Sequence, residues 1–337
     1  MRIWIDEDRL QAVAKLLKDN PPEEQPLNFY SIKERDGEEI VLDDIYPPIG
    51  HPRAVDYFFA GTLQEYGFWL DTNSGYNAPF YVTLSADGTG KPSKGSDALW
   101  RCLKKTFDRD PDAFTPVRLA QMSFDEFRHL FASDLGPVQF PRMTERYKLA
   151  VAYGMWFVEK NVTPEEIIAV SNDCEGGVDT LRWFLHCMRL IPGYGQDPLQ
   201  KKMQLLAMAL VNRPENFLHA APDNEFWTPM VDYHLMRVLL RMRVVKVDGG
   251  TEYRLSLKTW VTQKIEYEIR SKCFEVLTRI RDLSGLTNAK INIVFWMARK
   301  YCPEMTKPEC VKCSFNNACG KHTDLFQPVG LPRTNYY

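Results

Sequence analysis

The chain has 337 residues, 45% of them hydrophobic and 26% charged, with a formal net charge of −2. That length predicts roughly two domains and a sizeable core, and the composition excludes disordered, collagen-like and coiled-coil classes. The longest apolar run, residues 149–158, is too short for a membrane-spanning helix. Acidic Asp6, Glu7 and Asp8 stand where a secretory leader would be basic and then apolar. The expectation is a cytoplasmic protein with no membrane partner and a monomer favoured.

In chain order, residues 1–95 read as a mixed α/β segment. Turn formers interrupt it at Asn20-Pro21-Pro22, Tyr46-Pro47-Pro48 and Asp87-Gly88-Thr89-Gly90, and residues 80–84 form a β-like run. The segment opens acidic: residues 1–45 carry twelve acidic against six basic side chains, which leaves the remaining 292 at +4. Residues 96–298 read as a helical body. Ser123 with Glu126, and Thr163 with Pro164 and Glu166, have the spacing of capping boxes, in which each side chain bonds the other residue's free backbone N–H. Gly176-Gly177 stops one element before a helix over 178–190, and Asp197-Pro198 and Thr228-Pro229 mark further helix starts. Residues 299–337 form a cysteine-bearing loop and tail. The fold class expected is mainly α.

Four of the eight cysteines are scattered: Cys102, Cys174, Cys187 and Cys273 read as small buried hydrophobes. The others form Cys302-x7-Cys310-x2-Cys313-x5-Cys319. Four thiolates in one loop suit a tetrahedral zinc or an iron–sulfur cluster, since both want four soft ligands, and spacing alone leaves the two open. Residues 299–321 carry five basic side chains, Lys307 and Lys312 among them, against Glu304 and Glu309. A loop of that charge can seat a phosphate backbone.

Tyr301-Cys302, Lys307-Pro308-Glu309-Cys310-x-x-Cys313 and Asn317-Ala318-Cys319 resemble the C-terminal iron–sulfur loop of the endonuclease III and adenine-mismatch glycosylase family. The family's first spacer is usually one residue shorter. Those enzymes are helix-hairpin-helix DNA glycosylases, and the resemblance implies a [4Fe–4S] cluster on Cys302, Cys310, Cys313 and Cys319, with zinc as the lesser occupant. Val231-Asp232-Tyr233-His234-Leu235-Met236-Arg237-Val238 resembles the family's catalytic segment, near a helix start at about 228–243. It implies that Asp232 is catalytic. A carboxylate is wanted there because breaking an N-glycosidic bond builds positive charge on the sugar. By its position alone, Asp232 is more often a helix cap or first-turn acid. Leu190-Ile191-Pro192-Gly193-Tyr194-Gly195 resembles the family's hairpin turn, within a hairpin at about 178–210. Gly193, Tyr194 and Gly195 would then approach a DNA phosphate through backbone N–H groups. A lyase of this family carries a nucleophilic Lys where this chain has Asp197, so a monofunctional enzyme is expected, with Lys201 or Lys202 assisting.

A longer, weaker likeness runs over about residues 65–245. Phe127-Arg128-His129-Leu130-Phe131-x-Ser133-Asp134, Lys201-Lys202-x-Gln204-Leu205-Leu206-Ala207, Asp232-Tyr233 and the end Arg333-Thr334-Asn335-Tyr336-Tyr337 resemble the queuosine-salvage nucleotide N-glycosylases. Members of that family hydrolyse a free nucleotide and lack such a cysteine loop. Both resemblances nominate Asp232. Stacking faces for a base are offered by Phe68-Trp69, Trp156-Phe157, Trp183-Phe184, Tyr194 and Trp227, with Trp69 and Tyr194 foremost. The leading expectation is a DNA N-glycosylase that flips out and excises a damaged or modified base, in repair or phage defence. The alternatives are a queuosine-type free-nucleotide hydrolase and a non-catalytic, cluster-bearing DNA-binding module.

Overall fold

The computed structural model describes residues 2–23, 29–30, 45–85, 92–174 and 179–337. The expected helix stop at Gly176-Gly177 and the turn at residues 87–90 lie outside these. Among the described residues the chain is mainly α, as composition and capping signals predict. Its helices are α1 (Glu7–Asp19), α2 (Ala54–Leu63), α3 (Gly95–Phe107), α4 (Pro116–Gln121), α5 (Phe124–Arg128), α6 (Met143–Lys160) and α7 (Pro164–Asn172). They continue as α8 (Thr180–Met188), α9 (Lys201–Asn212), α10 (Tyr233–Arg241), α11 (Gly249–Ser256), α12 (Gln263–Ser284) and α13 (Asn288–Ala298). Strands are short and paired in twos. β1 (Ile3–Ile5), β2 (Trp69–Asp71), β3 (Tyr76–Pro79), β4 (Tyr81–Val82) and β5 (Ser93–Lys94) precede β6 (Ala132–Ser133), β7 (Gly136–Pro137), β8 (Val245–Val247), β9 (Val261–Thr262) and β10 (Gly330–Leu331). The pairs β1–β8, β2–β3, β4–β5 and β6–β7 are antiparallel, and β9–β10 is parallel.

Local signals place most helix ends. Ser123 and Glu126 at α5, and Thr163 and Glu166 at α7, close both reciprocal bonds of a capping box, with Pro164 in the first turn. Two expected starts move, and the helix foreseen from Asp197-Pro198 begins at Lys201. The helix foreseen from Thr228-Pro229 begins at Tyr233, because Asp232 supplies the cap: its Oδ1 accepts the Leu235 N–H at 3.0 Å. The β-like run at 80–84 contributes only Tyr81 and Val82 to a ladder.

Two apolar cores follow from the helix faces. In α1, Leu10, Val13, Ala14 and Leu17 recur at the spacing of one helix face and pack on α12. With α10, α12 and α13 they build the second core, and β1 pairs with β8 alongside it. The first core gathers α2, α3 and α5–α9 around Phe58, Phe59, Trp100, Phe184 and Leu206. All ten residues of α2 are buried, Asp56 and Thr62 among them, so this helix runs through that core with no solvent-facing side. Residues 1–95 thus divide between the two cores: β1 and α1 join the second, α2 the first. A cavity opens where they meet.

Candidate active site

The cavity measures about 200 Å³. Its walls come from elements far apart in sequence: the first turn of α3 (Gly95, Ser96, Asp97), the inner face of α9 (Lys201, Leu205, Met208), the start of α10 (Asp232 to Leu235) and α13 (Asn292, Trp296) with Arg299. Phe68, Trp100, Tyr233 and Tyr337 add ring faces, and Glu65 and Lys94 add charge.

Asp232 is buried at 8% exposure. Burial pushes its carboxyl above the usual range, and the charge of Lys201, followed by the backbone N–H of Leu235, pulls back against that shift. One oxygen caps α10 while the residue lines the cavity. Lys201 opens α9, and its N–H donates to Asp197 Oδ2 at 2.8 Å. Asp197, which stands where a lyase would carry its nucleophile, is a structural acid. Arg270 clamps both its oxygens, at 2.6 and 2.8 Å, and holds the carboxyl low against burial. The same guanidinium donates from Nε to the carbonyl of Val231, at 2.9 Å. One buried arginine thus ties the start of α9 to the residue before Asp232, fixing Lys201 and Asp232 relative to each other.

The other cavity groups are also held. Glu65 accepts from the Ser96 hydroxyl at 2.6 Å. Asn292 accepts the Met230 N–H at 2.8 Å. Arg299 lays its guanidinium over the Trp296 ring, 3.7 Å from its centre, and its Nε has no hydrogen-bond partner among the described residues.

Several expected site residues lie elsewhere. Lys202 is wholly buried behind the wall; its Nζ donates to the Leu63 carbonyl at 3.1 Å and sits over the Tyr66 ring. Burial, with Lys201 next in line, pushes its amine down to about 7. The Gly193-Tyr194-Gly195 turn packs inward and offers no phosphate seat. A Cβ on Gly193, whose φ is +88°, would come within 2.3 Å of Leu63, and one on Gly195 within 1.9 Å of the Arg189 carbonyl. Their N–H groups are taken by Gln196 Oε1 and the Ile191 carbonyl. Tyr194 is fully buried, its hydroxyl donating to Phe59 O, so it cannot stack on a base. Trp69 is buried edge-on against Tyr76 and Tyr233 and lines a smaller cavity. Of the aromatics nominated from sequence, only Phe68 reaches the main cavity. Phe157, Phe184 and Trp227 are core, Trp156 packs against it, and Trp183 is on the surface. Lys307 and Lys312 are exposed on the cysteine loop, where Lys312 pairs with Glu309.

The four loop cysteines are free thiols around a second, small cavity of about 30 Å³, shared with Val238, Met242 and Phe315. Among the described residues no group of three or more His, Cys, Asp or Glu side chains is arranged to hold a metal ion. The expectation of a metal-ion site is corrected accordingly. A [4Fe–4S] cluster is a larger object than one ion, and iron and sulfide analysis is the measurement that bears on it. Among the described residues no helix is long and apolar enough to cross a membrane.

Over residues 46–294 the chain matches the family described as queuosine salvage protein. No curated relative matches it. The family match overturns the expectation of a DNA-binding repair or defence glycosylase: the cysteine loop that carried its strongest resemblance lies outside the matched span, the glycine turn is packed inward, and the Asp232 segment is shared by both resemblances. The matched span takes in α2 through the inner face of α13, with Lys201, Asp232 and most of the cavity wall. The chain belongs to the queuosine salvage protein family.

Proposed function

We propose that the protein is a hydrolytic N-glycosylase that releases the base from a free queuosine-type nucleotide 5′-monophosphate. One observation carries the proposal: in a chain of this family, a buried carboxylate and a lysine on neighbouring helix starts share one ring-lined cavity. Asp232 meets the positive charge that grows on the sugar as the C1′–N bond lengthens, and it accepts a proton from the attacking water. The water oxygen bonds to C1′, the C1′–N bond electrons leave with the base, and the base takes up a proton. The cap to Leu235 fixes the carboxylate before substrate arrives, so little reorganisation is left for the reaction. Lys201 and Arg299 supply positive charge for the phosphate, and Phe68, Trp100 and Trp296 supply faces for the base.

The test is incubation with a panel of free nucleotides, including the queuosine 5′-monophosphate and its unmodified guanosine counterpart, with released base identified by mass spectrometry. Release from the queuosine nucleotide is expected. If every free nucleotide remained intact over many hours with folded protein in excess, the proposal would fail.

A further inference from the structure

The cysteine-bearing loop lies outside the span that matches the family, yet one of its side chains reaches the wall of the main cavity. Glu304, between Cys302 and Cys310, is 4% exposed. Its Oε2 accepts from Lys94 Nζ at 2.7 Å. Its Oε1 lies 3.4 Å from Arg237 Nη1 and 3.2 Å from His234 Nδ1, and among the described residues it accepts no hydrogen bond from either; the His234 Nδ1 instead meets Arg237 Nη2 at 3.1 Å. Lys94 and His234 both line the cavity, and Lys94 is the residue from which α3 starts.

The loop is pinned where this contact needs it. Arg237 and Arg241 stand one turn apart on α10, both buried. Arg237 Nε donates to the Cys302 carbonyl at 3.3 Å, and Arg241 Nη1 donates to the Pro303 carbonyl at 2.7 Å. A buried carboxylate is costly to leave without counter-charge, and Glu304 finds it in Lys94, which is partly buried, and in Arg237, which is fully buried. The contacts are therefore mutually dependent, linking the loop, α10 and the head of α3.

We infer that Glu304 is a positioning residue for the cavity: through its bond to Lys94 it fixes the cavity wall at the head of α3, so that the loop is a working part of the site. The functional half of this inference rests on the proposed nucleotide hydrolysis; the structural half does not. Two measurements separate them. In the first, Lys94 is probed by reductive methylation and mass spectrometry, with Lys312 as an exposed reference. Lys94 should be protected in the wild type, and its relative rate should rise at least threefold in Glu304→Gln, which keeps the side chain's shape and removes its charge. Unchanged Lys94 labelling in that folded variant would overturn the inference whatever the substrate is.

In the second, steady-state hydrolysis of the nucleotide is compared in Glu304→Gln, Lys94→Met and the double variant. The expected result is KM raised about tenfold in each single variant, with kcat within threefold, and no further rise in the double variant because both changes remove one contact. Additive effects, or an unchanged KM, would overturn the inference. Should wild type turn over no nucleotide, hydrolysis itself fails, and the labelling result still stands or falls alone. If Glu304→Gln does not fold, Lys94→Met and Glu304→Asp are read in its place, the latter expected to rescue KM in part.

Discussion

Asp232→Asn separates the cap that the structure shows from the catalytic role proposed for the same side chain. Asn caps a helix about as well as Asp, so the bond from the Leu235 N–H at 3.0 Å has a replacement acceptor. Removing a charge that burial disfavours carries no penalty of its own. Stability should therefore change by less than about 1 kcal/mol. The rate should not survive. A unit charge acting on a developing sugar cation from roughly 4 Å, at an effective dielectric near 20, contributes about 4 kcal/mol. Lys201 offsets part of that field, so the expected loss is on the order of 10²–10³ in kcat. Nucleotide affinity should stay within a few fold, because the charge matters most once the bond is breaking. Single-turnover base release, titration calorimetry with the nucleotide and thermal unfolding read the three quantities separately. Base release within threefold of wild type by a folded, nucleotide-binding Asp232→Asn would refute the assignment.

Three further outcomes follow from neighbouring groups. The acid limb of the kcat/KM profile, which reports the free enzyme, should lie above the ordinary carboxylate range, because Asp232 must be ionised and its carboxyl is raised; Lys201→Met removes the cation opposing that rise and should move the limb to still higher pH. Lys202 has its amine at about 7 when folded and near its ordinary value when unfolded, so between those pH values the unfolded chain holds the extra proton. Its unfavourable contribution is complete below about pH 7 and relieved as pH rises towards 10. Relative to Lys202→Met, wild type should gain up to about 1.4 kcal/mol per pH unit across that window in denaturant titrations. Arg270→Met strands buried Asp197 and should cost about 3–5 kcal/mol in unfolding free energy, with loss of base release.

What could be read in the sequence was local chemistry. The capping boxes at Ser123 and Thr163 lie within four residues of chain, and both form. Asp232 was legible because a carboxylate two residues before a histidine and five before an arginine is a compact pattern, and it lines the cavity. Lys94, Glu65, Ser96, Trp100 and Trp296 were not singled out, because what makes them line the cavity is tertiary: Glu304 meets Lys94 across 210 positions of chain. The same limit explains the glycine turn. Its shape was foreseeable, but Leu63 and the Arg189 carbonyl, which decide that only glycine fits there, come from packing. Aromatic residues mislead for a related reason: a ring at helical spacing does not say which of two cores or which cavity it faces, and most entered a core. Helix α2 carried no periodic signal at all, since a helix buried on every side has no polar face to mark its turns. The short loops gave the leading DNA expectation its apparent force, whereas the weaker likeness, spread over a longer stretch, pointed to the family that the chain joins.

The most direct test of the central claim is to offer the same queuosine-type base to the protein in two forms, as the free nucleotide 5′-monophosphate and within a DNA duplex, and to compare kcat/KM for base release. The account predicts release from the free nucleotide, abolished in Asp232→Asn, with the duplex at least a hundredfold poorer. Release from the duplex with the free nucleotide left intact would contradict it.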